Sequence, residues 1–275
     1  MMVSHEISLL VSSDPSSGAK NISPDGSRFE VQLEDPIHIP KEALNITVDV
    51  EESTVWWVVP NIILNTNDKL YLNVPNVADV ITAYIVTVPQ GLYDLNGLNN
   101  AVLRELQNAG AKITPSPTIT FGADAATQKV VLTLNYIGSS IDFTPNNTFR
   151  NILGFNPQII GPTIIAPYSQ IADITASFNQ VNYFLIHSDL TSKGIRFNNN
   201  YNQTISQVLI DVAPGSQIVS KPFNPARISC PELADGSRKI LRFWLTDDKN
   251  REINTNNEYW TARISLRYMM PHIMR

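Results

Sequence analysis

Arg28-Phe29-Glu30-Val31-Gln32-Leu33-Glu34 alternates without a break: Phe29, Val31 and Leu33 point one way, and Arg28, Glu30, Gln32 and Glu34 the other. Side chains on a strand project to opposite faces in turn, so this stretch reads as a strand with one dry face and one wet face. Asp35-Pro36 breaks it. Runs rich in β-branched and apolar residues follow at 44–50, 54–59, 69–74 and 80–88, and again at 118–121, 129–136, 181–188, 204–212, 239–246 and 259–268. Turn formers such as Pro60-Asn61 and Pro75-Asn76 separate them.

One segment carries helical spacing instead. After Gly91-Leu92-Tyr93, Asp94 is placed to accept from the first free amides, and Leu95, Leu98, Val102, Leu106 and Ala109 recur every three or four residues until Gly110. A shorter candidate runs over 146–153 and stops at Gly154. About twelve strands and one good helix, without regular strand–helix alternation, predict an all-β protein: an antiparallel jelly-roll sandwich with an inserted helix and extra strands. The surplus over the eight strands of a jelly roll forms an insertion or a second small β-sandwich. Residues 1–26, rich in Ser, Pro and Gly, read as a flexible N-terminal arm. Residues 27–275 read as the jelly-roll domain, with a candidate subdivision near 170–178.

The composition narrows the function. Of 275 residues only 16% are charged, against roughly 25% in an average soluble domain, while 27 are Asn. The surface is therefore covered by neutral polar groups. A net charge of −5 gives no overall basic field for nucleic acid. The single cysteine, Cys230, excludes an internal disulfide framework. The opening MMVSHEISLLVSSDPSSG lacks the cationic region and long apolar stretch of a secretory signal, and no apolar run reaches the roughly 18 residues of a membrane span. The four Asn-x-Ser/Thr matches, at Asn21, Asn45, Asn146 and Asn202, follow from the abundance of Asn.

Candidate chemistry is sparse. His5, His38, His187 and His272 show no metal-ligand spacing; His5 and His272 fall near the chain ends, and His187 closes the apolar run 183–187 as a structural residue of a sheet edge. Neither Gly-x-Ser-x-Gly nor a phosphate-cradling glycine loop occurs. Asp247, Asp248, Asn250 and Glu252 are oxygen donors at close spacing, but Lys249 and Arg251 interleave positive charge and the calcium-loop glycine is missing, so the segment reads as a hairpin turn. The pair Glu51-Glu52 reads as surface. No catalytic, cofactor-binding or metal-binding residue is predicted.

The tryptophans remain. Trp56 and Trp57 are adjacent on one strand, so their indoles face opposite ways, and Phe243-Trp244 poses the same problem. Bulk on both faces calls for a second layer, a subunit contact or a sugar platform; Trp56, Trp57 and Trp244 are the candidate subunit contacts.

Five blocks carry a resemblance: FEVQLEDPIHI (29–39), WVVPNI (57–62), VPQGLYDLNGLN (88–99), IDFTPNNTFRNILGF (141–155), and LRFWLT (241–246) with Asp247-Asp248 and the final strand 259–268. In this order they resemble the jelly-roll minor capsid, or penton-type, proteins of virophages, Polinton-like elements and related tailless icosahedral DNA viruses. The resemblance implies a structural virion protein without an active site, located in the capsid and made in the host cell without a signal peptide. It implies self-assembly, with a pentamer at the five-fold vertex, beside major capsid proteins and sometimes spike or fibre proteins or an internal membrane. It also implies that Leu95, Leu98, Val102 and Leu106 seat the helix on a sheet, and that Ile152, Leu153 and Phe155 plug a loop into the core. One departure stands out: Lys249-Asn250-Arg251 occupies the last hairpin, where family members often carry glycine. The alternatives are a receptor-binding spike or carbohydrate-binding β-sandwich, or a major capsid protein.

Overall fold

The computed structural model describes residues 2–197 and 200–271. The chain divides into two compact units at Val59/Pro60 and Gln180/Val181, the second being an insertion within the first.

The first unit holds β1 (Met2–Ser12), β2 (Ala19–Lys20), β3 (Arg28–His38), β4 (Leu44–Trp56), β12 (Tyr183–Ser188), β13 (Arg196–Phe197), β14 (Asn200–Tyr201), β15 (Thr204–Leu209), β16 (Gln217–Ser220), β17 (Ile228–Ser229), β18 (Ser237–Thr246) and β19 (Thr261–Pro271). One sheet runs β1-β19-β4-β16, with β17 also on β4; the other runs β15-β12-β18-β3-β2. Set aside the short pieces and number the eight long strands along the chain. The first sheet then reads first-eighth-third-sixth and the second fifth-fourth-seventh-second, which is the order of a jelly roll. Every pairing is antiparallel. The alternation of the sequence explains the layering, since Phe29 on β3 and Ala262, Ile264 and Leu266 on β19 are buried. Aromatic side chains bridge the sheets: Trp260, just before β19, meets Phe29 at 5.0 Å between ring centres, and Trp57, just after β4, meets Phe184 at 5.9 Å.

The stretch expected as a flexible arm, residues 1–26, contains the strand β1, Met2–Ser12. β1 pairs with β19 along its whole length, Met2 opposite Pro271 through Ser12 opposite Thr261. Its inward side chains, Ile7, Leu9 and Val11, lose exposure toward the C-terminal end, an alternation that the serines at 4, 8, 12 and 13 dilute. His5 stacks on Tyr268 at 5.2 Å and is therefore held; His272 lies outside the described residues. Pro24-Asp25-Gly26 makes the expected turn, with the Gly26 amide donating to the Ser23 carbonyl at 2.9 Å.

The insertion comprises β5 (Lys69–Pro75), β6 (Ile81–Thr87), α1 (Leu95–Asn108), β7 (Ile119–Asp124), β8 (Lys129–Leu134), β9 (Ser140–Asp142), α2 (Arg150–Leu153), β10 (Ile159–Ile160) and β11 (Tyr168–Ile171). Its sheets are β10-β9-β5-β6 and β11-β8-β7. The helix begins where the sequence places it: the Asp94 carboxylate accepts from the Gly97 amide at 2.6 Å, satisfying one amide that lacks a helical partner. Leu98, Ala101, Val102 and Leu106 on its inner face join one core with Leu72 of β5, Leu132 of β8, and Ile152, Leu153 and Phe155. Each fully buried aliphatic side chain of this kind contributes about 2 kcal/mol. Asn61 closes the unit at its base. Its buried amide donates to the carbonyls of Tyr93 and Phe178 at 2.7 and 3.1 Å and accepts from the Tyr93 amide at 3.0 Å, so segments near the two ends of the insertion are tied together. The subdivision weighed at 170–178 lies inside this unit, where Ala172, Ala176 and Phe178 pack on its core.

Candidate functional site

A bulge decides where the two adjacent tryptophans point. Opposite β19, Val50 pairs with Ile264 and Glu52 with Arg263, leaving Glu51 as the extra residue. Before it, Ile46, Val48 and Val50 face the core; after it, Ser53, Val55 and Trp57 do. Trp57 is therefore 3% exposed and packed against Phe184. This corrects its reading as a subunit contact, because its indole has no free surface to offer. Trp56 sits half-buried on the outward face of β4, in the same outward set as Thr54 and its partner Val219.

Trp244 has a different environment. His187, Trp244 and Arg28 are register partners across β12, β18 and β3, and their side chains stack in a row. The imidazole lies parallel to the indole at 5.3 Å, and the guanidinium covers the ring at 5.3 Å. Both faces of Trp244 are thus taken from within the chain, and a ligand or a second copy meets only its edge. Glu252 caps the row through an ion pair with Arg28.

His187 is 1% exposed, and Thr246 and Thr204 meet its two ring nitrogens at 2.7 and 3.1 Å. Burial first, and the Arg28 charge second, lower its pKa to about 4 from 6.5. The folded form therefore binds its proton less readily than the unfolded chain. The stability it contributes is complete above pH 6.5 and is lost as pH falls toward about 4, to the extent of about 3 kcal/mol. In His187→Phe, which keeps the stack and removes the titration, the urea-unfolding free energy is expected to fall less than in the parent between pH 7 and pH 4. Parallel profiles would refute this assignment.

The acidic turn is occupied by its own backbone. Asp247 accepts from the amides of Lys249 and Arg251, both at 2.9 Å, and from the Arg251 guanidinium at 2.8 Å. Asn250 takes a left-handed φ of 60°, a conformation that asparagine adopts more readily than most residues. Glu51 reaches Arg267 at 2.6 Å, in a network where Arg267 also pairs with Asp49 and Glu6 and so ties β4, β19 and the edge strand β1 together. Burial raises the Asp49 pKa, and hydrogen bonds from Ser265 and Arg267 lower that of Glu6.

An exposed set of apolar side chains lies on the insertion, where sequence reading placed no candidate. Register puts Ile159, Asp142, Tyr71 and Ile85 in one outward row across β10, β9, β5 and β6. Ile85 and Ile159 are 65% and 60% exposed, and in the loop after β10 Ile164 and Ile165 are 86% and 69% exposed. From Asn151 to Ala172 no residue is charged. That uncharged run, with its doublets Ile159-Ile160 and Ile164-Ile165, is the signal that marks it.

In backbone the chain is similar to proteins of virophages. One is the mavirus penton protein, at 12% identity and a TM-score of 0.47, with 97% of this chain and 99% of that one covered. Another is a chain of the Sputnik virophage, at 14% identity and a TM-score of 0.37, covering 96% and 97%. The model of the bacterial Ig-like domain matches residues 8–109, a span that starts inside β1 and ends just past α1, cutting across both units. No curated protein matches the sequence. Among the described residues no helix is long and apolar enough to cross a membrane.

Proposed function

We propose that this chain is a structural virion protein, a jelly-roll subunit that assembles with copies of itself as a pentamer at the five-fold vertex beside major capsid proteins. The observation that carries the reading is the set of apolar side chains on the insertion that stand open to water, Ile85, Ile159, Ile164 and Ile165, three of them in the uncharged run from Asn151 to Ala172. Monomeric soluble proteins rarely leave such patches uncovered. The jelly-roll strand order and the five sequence blocks support it, and so does the low charge, which lets equal surfaces meet without repulsion. Trp56, on the outward face of β4, is assigned to a subunit contact. The protein works by holding neighbours in place, and no catalytic residue is assigned.

Native mass spectrometry of the purified chain, alone and mixed with the major capsid protein of the same virion, tests this. The expected species is five times the 30.6 kDa chain, and Ile164→Asp combined with Ile165→Asp should return it to monomer with the fold intact. A monomer at micromolar concentration under both conditions, or a pentamer indifferent to the double substitution, would overturn the assignment of this surface.

A further inference from the structure

A pocket of about 390 Å³ opens on the outward face of the β15-β12-β18-β3 sheet, next to the His187–Trp244 stack. That volume is in the range of small-molecule sites. Its floor is Trp244 and Thr246, and its walls are Ser192, Asn202-Gln203, Asn250 and Glu252. We propose that it binds a neutral saccharide.

The charge balance argues first. Glu252 is the one carboxylate in the lining, and Arg28 pairs with it. His187 is uncharged at neutral pH. No net charge is left to select a phosphate, a carboxylate or a cation.

The unspent hydrogen bonds argue second. The Gln203 side-chain amide makes no hydrogen bond within the protein among the described residues, and Asn250 has only a long contact of 3.5 Å, from Asn202 to its Oδ1. Each carboxamide offers donors and an acceptor together, which suits hydroxyl groups that themselves both donate and accept. The stack argues third. With both faces of Trp244 covered, a flat aromatic ligand such as a nucleobase has no platform, whereas a ring carrying hydroxyls at its rim needs only the polar wall.

The assignment is independent of assembly, since every lining residue comes from one unit of one chain. The test is an oligosaccharide array probed with the full chain, followed by calorimetric titration of the best neutral ligand. The chain should bind one or more neutral glycans. Gln203→Ala and Asn250→Gly, the latter chosen because glycine keeps the left-handed turn, should together weaken binding about tenfold, or about 1.4 kcal/mol, with an unchanged melting temperature. Absence of any neutral glycan ligand, binding restricted to sialylated or sulfated glycans, or affinity untouched by both substitutions would each overturn the proposal.

Discussion

Gly154→Ala is expected to destabilise the insertion by at least about 3 kcal/mol, the cost of left-handed strain plus a backbone collision. Gly154 ends α2 at a φ of 85°, its amide donating to the Arg150 carbonyl at 2.8 Å. A Cβ at that position would fall far inside van der Waals contact with the carbonyl oxygen of Ile174. Neither partner can yield cheaply, because the Ile174 amide is itself bonded to the Gly154 carbonyl at 2.9 Å. Gly110 is the control. Its φ of 87° is almost the same, yet nothing lies within 4 Å of its missing Cβ, so Gly110→Ala pays conformational strain alone, about 1 kcal/mol. The four tryptophans all lie outside the insertion, so hydrogen exchange at the α1 amides is the direct readout. Equal acceleration of exchange in the two variants would show that the close approach to Ile174 does not matter.

The second large effect concerns adjacent residues. Trp57→Ala should cost about 3–5 kcal/mol, because it opens a cavity between the sheets beside Phe184. Trp56→Ala should cost under about 1 kcal/mol while weakening the proposed pentamer. Equilibrium unfolding in guanidinium, paired with native mass spectrometry, separates the two outcomes. A reversed order of stability would mean that the bulge at Glu51 does not shift the strand.

That bulge also marks where reading the sequence stops. Ile46, Val48 and Val50 alternate cleanly, and carrying the alternation forward would send Trp56 inward; the single extra residue reverses every side chain after it. Nothing in Glu51-Glu52 announces this, so the sequence told only that the two indoles diverge. The helix was legible because Asp94, the leucine spacing and Gly110 all agree, and Gly154 was legible as a helix stop, whereas the close approach of Ile174 to it comes from chain that is distant in sequence. β1 was obscured by its serines, and its partner lies at the far end of the chain, so no local pattern could reveal the pairing. Trp244 looked like bulk seeking a cover; its cover is His187 and Arg28, supplied by register neighbours that only the sheet order brings together. The apolar surface of the insertion was visible as an uncharged stretch but not as a surface, because β10, β9, β5 and β6 meet only in three dimensions.

The pairing of β1 with β19 sets a clock on biosynthesis. A ribosome making about 5–20 residues per second needs on the order of tens of seconds between the two strands. Throughout that interval the first strand waits without its ladder. The insertion is a compact unit that ends at Gln180, so all of its residues have been made while the rest is still being translated. The body closes last, when the final strand arrives. A truncated or half-translated chain thus lacks the finished sandwich, because its edge strand still waits for the partner that comes last out of the ribosome.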